Sequence, residues 1–204
     1  MAIIGAMTDA PRLPLLRGAT VWLRALEKAD LTDLDLDDRD LGHFGGFRMP
    51  FGRESQERWY TKTVAGMGET VYQFSICRLG DRRPIGGVGL RDIDRVNGAA
   101  EASIFIASRD DWGKGYGTDA MNALLDYAFG EMRLHRVYLH VFDYNPRAVR
   151  SYEKAGFVTE VRLRKNRFHR GAHHDEFLMA ILRADWERLD RPRSWEYDEI
   201  AARA

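Results

Sequence analysis

The segment IFIASRDDWGKGYGTDAMNALLDYAFGEM, residues 104–132, contains the features that decide the fold of this chain. Glycines alternate at positions 113, 115 and 117, between an apolar strand pattern and a segment whose apolar residues recur at helical spacing. Glycine allows positive φ and a close approach of the backbone to a ligand. A helix N-terminus adds unpaired N–H groups and the positive end of its dipole. The segment therefore predicts a strand, a turn and a helix that bind phosphate or pyrophosphate through main-chain donors.

Two nucleotide-binding motifs fail at this turn. The P-loop requires GxxxxGK followed by Ser or Thr, but Gly115 follows Gly113 and Lys114. The dinucleotide fingerprint is GxGxxG, whereas residues 113–117 read GxGxG and lie in the second half of the chain. A simple tight turn before a helix remains an alternative interpretation of these glycines.

The rest of the chain predicts a mixed α/β, or α+β, domain with one sheet. Alternating or continuous apolar runs predict strands, and amphipathic stripes with capping signals predict helices. The expected architecture is a single twisted, mostly antiparallel sheet of about six to seven strands flanked by about four helices. The predicted strands cover residues 18–26, 71–79, 82–93, 100–107, 136–142, 158–168 and 175–182. The predicted helices cover residues 54–67, 118–132 and 146–155, with a further helix in the charged tail from residue 184.

Composition excludes several classes of protein. The chain has 204 residues, of which 45% are hydrophobic, and its 31 basic residues balance 31 acidic ones. Because nucleic-acid binders usually carry a basic excess, no nucleic-acid partner is expected. The single cysteine, Cys77, allows no intramolecular disulfide and no cysteine cluster for a metal. No window approaches the roughly 20 apolar residues of a membrane span, so the expectation is a soluble, cytoplasmic protein without a membrane partner.

A second motif, NPRAVRSYEKAGF at residues 145–157, predicts a short helix with signals at both ends. Asn145 is a strong N-cap, Pro146 suits the first helical position, and Gly156 supplies a left-handed stop. Tyr152 follows Asn145 by seven residues, which is nearly two turns at about 3.6 residues each. Both side chains can therefore lie on one side of the helix. Spacing alone favours the simpler alternative, in which Asn145 only caps and Tyr152 only packs.

Together these segments resemble the GNAT superfamily of N-acetyltransferases. The pyrophosphate motif of that superfamily, Arg/Gln-x-x-Gly-x-Gly/Ala, fits residues 112–117 except at its first position. Trp112 stands there, as in the branch that acetylates the N-termini of ribosomal proteins. The resemblance covers residues 16–183, leaving 1–15 as a lead-in and 184–204 as a charged, helical extension. The later pattern NxxAxxxYxKxGF is matched by Asn145, Ala148, Tyr152, Lys154, Gly156 and Phe157.

The resemblance implies acetyl-CoA as co-substrate and no metal. The glycine turn would bind the pyrophosphate of CoA, the end of the preceding strand would pair with its pantetheine arm, and an N–H near Ile106 would stabilise an oxyanion. Tyr152 would donate a proton to the leaving thiolate. The cofactor-binding residues implied in this way are Ile104, Phe105, Ile106, Trp112, Gly113, Lys114, Gly115, Tyr116, Gly117, Thr118 and Asn145.

The acceptor implied by the resemblance is a primary amine, either a small molecule or a peptide N-terminus. An alkyl ammonium with a pKa of about 10.4 must lose a proton before it attacks, so a base is useful. Glu101 opens the strand that would line the cleft and is the candidate base, with a solvated strand-end carboxylate as the alternative. An acidic run at residues 37–40 could attract a polyamine, although such runs usually form a solvated face. A homodimer is expected from similar proteins, and a non-catalytic acyl-CoA sensor is the alternative function.

Overall fold

The computed structural model describes residues 16–33, 43–44 and 52–197, which form one eight-stranded sheet with helices packed against it. The strand order is β1-β2-β3-β4-β5-β6-β8-β7. The strands are β1 (Leu16–Arg17), β2 (Val21–Ala25), β3 (Val71–Arg78), β4 (Pro84–Asp94), β5 (Ala99–Ile106), β6 (Arg136–Phe142), β7 (Val158–His169) and β8 (Ala172–Leu182). The helices are α1 (Asp30–Asp33), α2 (Arg53–Ala65), α3 (Tyr116–Asp126), α4 (Pro146–Lys154) and α5 (Arg183–Glu187).

The predicted α+β class is confirmed, but the predicted number of six to seven strands is wrong. The additional strand is β1, whose two residues pair with Trp22 and Leu23 of β2. Its hairpin closes where the Gly18 N–H donates to the Val21 carbonyl at 2.8 Å. Two residues are too few to show an alternating pattern, so the sequence gives no separate signal for this strand.

The pairing is mostly antiparallel, as predicted, with β5 and β6 as the parallel pair. Those two strands pair only from Ala99 to Glu101, opposite Arg136 to Tyr138. Beyond that point β5 continues along β4 as far as Ile106, whereas β6 continues along β8 as far as Phe142. The two strands therefore separate toward their C-terminal ends and leave a wedge-shaped cleft in the sheet.

Helix α3 follows the glycine turn and covers the sheet with its apolar stripe. The predicted helix began at residue 118, but α3 begins at Tyr116, and a π-helical turn, Tyr127–Glu131, extends it. The stripe is buried because it faces β2, β4 and β5 across the core. Its buried members are Ala120, Met121, Leu124, Leu125, Ala128 and Phe129.

The chain after β8 folds back onto α3. Helix α5 places the Trp186 indole N–H 2.8 Å from the Asp126 carboxylate, which is almost completely buried. The same carboxylate accepts hydrogen bonds from the Arg191 guanidinium and from the main-chain N–H of Ser194. The described part of the extension is thus fixed to the end of α3 that lies away from the turn.

Within residues 16–33, 43–44 and 52–197, no helix combines the length and the apolarity needed to cross a bilayer.

Candidate active site

The glycine turn lies at the open end of the cleft, between β5 and α3. A single 3₁₀ turn, Arg109–Asp111, leads into it, and Gly113 and Gly115 have φ angles of +74° and +87°. Glycine is strongly favoured at such angles, and a Cβ built on either residue would meet no atom of the described part of the chain within 4 Å. The turn is therefore open, with its backbone accessible at the N-terminus of a helix. This arrangement fits a diphosphate held by main-chain N–H groups.

Asp119, in the first turn of α3, points its carboxylate away from any such anion and toward the β1–β2 hairpin. It accepts main-chain hydrogen bonds from Ala19, Thr20 and Val21 at 2.7 to 3.0 Å, and one from the Thr20 hydroxyl at 2.8 Å. Its charge is thus used to fix the hairpin to α3, and it also suits the positive end of the helix dipole.

Trp112 closes the turn against the end of β5. Its indole Nε1–H donates to the Ile106 carbonyl at 3.0 Å, so the residue that departs from the family motif is fixed in position. Ile104 and Ile106 side-chain atoms lie within about 4 Å of a Cβ built on Gly117, which places the last glycine against the free part of β5. The predicted cofactor residues of the strand and of the turn therefore lie side by side.

Helix α4 borders the cleft from the end of β6. The Asn145 side chain accepts from the Ala148 N–H at 3.2 Å, which confirms it as the N-cap, and Gly156 ends the helix with φ of +96°. Capping uses only the amide oxygen, so the Nδ2 group remains as a donor. The Thr118 and Ser151 hydroxyls, 2.8 Å apart, join α3 to α4.

Tyr152 lies on α4 among residues packed against the core, with Phe157 as an aromatic neighbour. Burial raises the pKa of its phenol to about 12, and the nearby Arg147 guanidinium opposes that rise. The phenol is therefore protonated at neutral pH and can act as a proton or hydrogen-bond donor.

Glu101 is buried at the closed end of the cleft, beside Tyr138 of β6. Its Oε1 lies 2.5 Å from the Arg91 guanidinium, which leaves Oε2 as a further acceptor. Burial, and secondarily the charge of Glu101, raise the pKa of Tyr138. Ile106 lies five positions after Glu101 in β5, a distance of about 17 Å along a strand at roughly 3.3 Å per residue. The candidate base and the glycine turn thus lie at opposite ends of the cleft.

The adjacent histidines of β8 contact different neighbours, as expected for successive strand residues. His173 packs on Phe168, whereas His174 lies 3.2 Å from an Asp143 carboxylate oxygen. Among the residues that the structure describes, no three His, Cys, Asp or Glu side chains are grouped to hold a metal ion.

The structure also shows contacts that the sequence did not predict. The Arg147 guanidinium stacks on the Trp112 ring, and the Phe44 ring meets the same indole edge-on. His43 Nδ1 lies 2.7 Å from His169 Nε2. His43 and Phe44 belong to the aromatic, glycine-rich stretch 42–47, but the acidic residues Asp37, Asp38 and Asp40 lie outside the described residues.

Comparison with known proteins decides the family. Residues 20–158 match the family model described as an acetyltransferase (GNAT) domain. The chain belongs to the GNAT acetyltransferase family. The spermidine N(1)-acetyltransferase of Vibrio cholerae is 33% identical over 167 residues, which cover 80% of this chain and 94% of that protein. The probable N-acetyltransferase YjcK of Bacillus subtilis is 32% identical over 183 residues, covering 85% of this chain and all of that protein.

A solved structure supports the same assignment. The crystal structure of spermidine N-acetyltransferase from Vibrio cholerae in complex with CoA and spermine superposes with a TM-score of 0.74 at 31% identity, covering 82% of this chain and 98% of that one. This GNAT chain is therefore an acyltransferase that moves an acetyl group from acetyl-CoA to an amine. The narrower ribosomal branch lacks specific support, because the putative ribosomal N-acetyltransferase YdaF of Bacillus subtilis matches over only 57% of this chain and 59% of its own length.

Proposed function

We propose that this GNAT enzyme acetylates a polyamine. Tyr152 is the acid, and Glu101 is the base that attracts the acceptor amine and takes its proton. The observation that supports this acceptor is the similarity to the spermidine acetyltransferase of Vibrio cholerae, which extends over nearly the whole of that protein and includes its structure with CoA and spermine. The similarity covers both edges of the cleft, from β5 and the glycine turn to α4.

The donor side of the proposal uses the turn and the free edge of β5. The N–H groups of residues 113–118 bind the diphosphate of acetyl-CoA, and the main chain of Ile104, Phe105 and Ile106 pairs with the pantetheine arm. Asn145 adds its Nδ2 donor from the opposite edge. When bound, acetyl-CoA supplies an acetyl group activated as a thioester. An arm that enters at the turn runs toward Glu101, because β5 is free of β6 along that direction.

On the acceptor side, the charge of Glu101 attracts an ammonium group to the closed end of the cleft. Oε1 is paired with Arg91, so Oε2 accepts the proton of the amine, directly or through a water molecule. An amine with a pKa of about 10.4 is less than a thousandth deprotonated at neutral pH, so a positioned acceptor for that proton is required. The deprotonated nitrogen then attacks the thioester carbonyl.

Tyr152 assists departure of the thiolate. With a phenol pKa of about 12 and a thiol pKa of about 8.5, complete proton transfer is uphill by roughly 5 kcal/mol, at about 1.36 kcal/mol per pKa unit. The sulfur becomes basic only as the carbon–sulfur bond breaks, so Tyr152 first acts as a hydrogen-bond donor to the departing thiolate, and its proton is transferred last.

The test is a comparison of acceptors with the purified protein. Release of the CoA thiol is followed with acetyl-CoA and, in turn, spermidine, spermine and peptides with free N-termini. We expect turnover with the polyamines, and a loss of about 100-fold or more in Glu101→Gln, within the range for general acid–base catalysis. Glu153→Gln is the matched control, because Glu153 is an exposed carboxylate on α4.

Each other outcome contradicts a named part of the proposal. Turnover with peptides alone would favour the ribosomal-type acceptor over the polyamine. Binding of acetyl-CoA without turnover on any amine would favour the acyl-CoA sensor. Wild-type turnover in Glu101→Gln would remove Glu101 as the base.

We also infer an assembly larger than the homodimer expected from sequence, because a dodecameric structure of the Vibrio cholerae enzyme superposes on this chain with a TM-score of 0.67 at 30% identity. Sedimentation equilibrium distinguishes the two assemblies. A mass of two chains would contradict the larger assembly and support the homodimer.

A further inference from the structure

Four polar side chains form a continuous row on one face of the sheet. Glu101 of β5 pairs in register with Tyr138 of β6, and strand residues paired in this way point to the same side of a sheet. His140 is the next residue of β6 on that side, and its ring centroid lies 6.3 Å from that of Tyr138. His140 Nδ1 lies in turn 3.1 Å from Oε1 of Glu176 in β8. We call these four residues the polar row.

The polar row lies on the face of the sheet opposite α3. A side-chain atom of Ile104 lies 4.0 Å from a Cβ built on Gly117, so Ile104 points toward α3. Glu101, three positions earlier in β5, points to the other side because successive strand residues alternate. The alternate residues of β6 are buried in the core that α3 covers: Val137, Leu139 and Val141. A co-substrate at the glycine turn thus enters the cleft from one face of the sheet, and an acceptor can enter from the face that carries the row.

The His140–Glu176 pair presents hydrogen-bond acceptors. A lone pair on Nδ1 would be repelled by the carboxylate oxygen 3.1 Å away, so the neutral imidazole carries its proton on Nδ1 and a lone pair on Nε2. The other carboxylate oxygen of Glu176 accepts from Asn166 Nδ2 at 2.6 Å and retains further acceptor capacity. The His140 side chain is 37% exposed, so a ligand can reach the pair. An alkyl ammonium, with three donors and no acceptor, is complementary to it.

The charges around the row also favour a cation at this pair. Among the residues that the structure describes, no Lys or Arg nitrogen lies within 4.0 Å of the Glu176 carboxylate, whereas Glu101 is paired with Arg91. Arg167 lies over the ring of Phe142, the next residue of β6 on the same face, and places a positive charge at the far end of the row. A cation is therefore attracted to the part of the row between Arg167 and Glu101.

The length of the row suits an acceptor with more than one amino group. Glu176 pairs with Phe142, four positions after Tyr138 in β6, a distance of about 13 Å along a strand at roughly 3.3 Å per residue. We propose that the His140–Glu176 pair binds a second ammonium group of the acceptor while Glu101 takes the proton of the amino group that is acetylated. This inference rests on the proposed function and assigns a polyamine subsite to the same cleft.

The test compares acceptors with and without a second amino group. Steady-state kcat and KM are measured for spermidine and for butylamine, which has a single amino group. In Glu176→Gln we expect the KM for spermidine to rise about 10- to 100-fold, the range for losing hydrogen bonds to a charged group, while kcat changes little. Both constants for butylamine stay unchanged. Glu176→Asp keeps the charge and recovers part of the loss.

A second variant tests the imidazole separately. His140→Phe removes the Nε2 acceptor and is expected to raise the KM for spermidine but not for butylamine. The matched controls are Glu153→Gln and His173→Phe, because both side chains are exposed and lie outside the row. Thermal unfolding of every variant checks that the fold persists, and calorimetric titration with spermidine measures the subsite without turnover.

An unchanged KM for spermidine in Glu176→Gln, or an equal rise for both amines, would overturn the subsite. Equal efficiency of the wild type with spermidine and butylamine would also overturn it, while acetylation of amines would stand. If the wild type acetylates no polyamine but binds spermidine in a way that Glu176→Gln weakens, the proposed function fails and the subsite stands. If spermidine is neither bound nor acetylated, both fail.

Discussion

At the scale of single residues, burial and a neighbouring charge have opposite effects on the pKa of Tyr152. Burial raises the pKa of the phenol to about 12, and Arg147 limits that rise. Because this pKa is raised, the proton stays on the phenol throughout the neutral and mildly alkaline range and is lost only near pH 12. We expect Tyr152→Phe to lower kcat about 100-fold or more, while the dissociation constant of acetyl-CoA changes little. We also expect the kcat of the wild type to show no fall from ionisation of Tyr152 below pH 10.

Steady-state kinetics and calorimetry on the same preparations measure these two effects. Tyr127→Phe is the control, since Tyr127 is another tyrosine whose pKa is raised by burial but which packs on Tyr72 and Phe74. Unchanged turnover in Tyr152→Phe would remove Tyr152 as the acid. An alkaline loss of activity below pH 10 that disappears in this variant would contradict the raised pKa.

Two substitutions at Gly117 separate the effect of side-chain bulk on acetyl-CoA binding from the effect of charge. A Cβ built there would make only ordinary contacts, 3.9 to 4.0 Å from Ile104, Ile106 and Ser151. Gly117→Ala should therefore fold and retain most acetyl-CoA binding. Gly117→Asp should fold but lose acetyl-CoA binding by about 100-fold or more, because a carboxylate would repel the diphosphate at close range. Calorimetric titration measures both, and normal affinity in Gly117→Asp would rule out the pyrophosphate seat.

Only some residues of this site could be predicted from the sequence. Asn145, Pro146 and Gly156 could be placed because capping and left-handed stops depend on the local chain alone. Arg147 could not, since nothing in its local sequence indicates that it stacks on Trp112, 35 residues earlier in the chain. That contact exists only once β5, the turn and α4 meet at the cleft.

At the scale of elements, α3 is fixed at both ends by buried or partly buried carboxylates. Asp119 holds the β1–β2 hairpin near its N-terminus, and Asp126 holds the C-terminal extension at its last turn. The helix whose N-terminus is proposed to bind the diphosphate is thereby attached to partners 60 or more residues away in each direction. Because these partners are distant in sequence, the sequence alone gives no sign that Asp126, a polar residue of the predicted helix, is buried and paired.

We expect Asp126→Ala to destabilise the fold by about 3–5 kcal/mol, because it leaves the Arg191 charge and the Trp186 and Ser194 donors without their buried acceptor. For a chain of this length the loss corresponds to a fall in Tm of roughly 6–20 °C. Differential scanning calorimetry measures it, with Asp190→Ala, an exposed carboxylate of the same extension, as the control. A fall below about 2 °C in Asp126→Ala would mean that the extension contributes little to holding α3.

At the scale of the whole molecule, the order of elements and the fold class could be predicted, and the geometry between elements could not. Hydrophobic periodicity placed seven strands and the helix that follows the turn. The separation of β5 from β6 beyond Glu101 has no such signal, because it depends on the pairing of β6 with β8. The ion pair of Glu101 with Arg91 likewise joins two strands across the sheet. The cleft could therefore be anticipated only through the family resemblance.

Binding of the co-substrate should also raise the thermal stability of the whole molecule. A ligand that binds only the folded state at about 100 times its dissociation constant stabilises that state by roughly 2.7 kcal/mol, which corresponds to an increase in Tm of about 5–11 °C for a domain of this size. We expect this increase with acetyl-CoA, and little or none with ATP or NAD at the same concentration, because those ligands lack the arm that pairs with the free edge of β5. Gly117→Asp should show no increase with acetyl-CoA and so ties the effect to the turn. An equal increase with all three ligands would mean that the turn binds phosphates without using the cleft, and the placement of the arm along β5 would then be wrong.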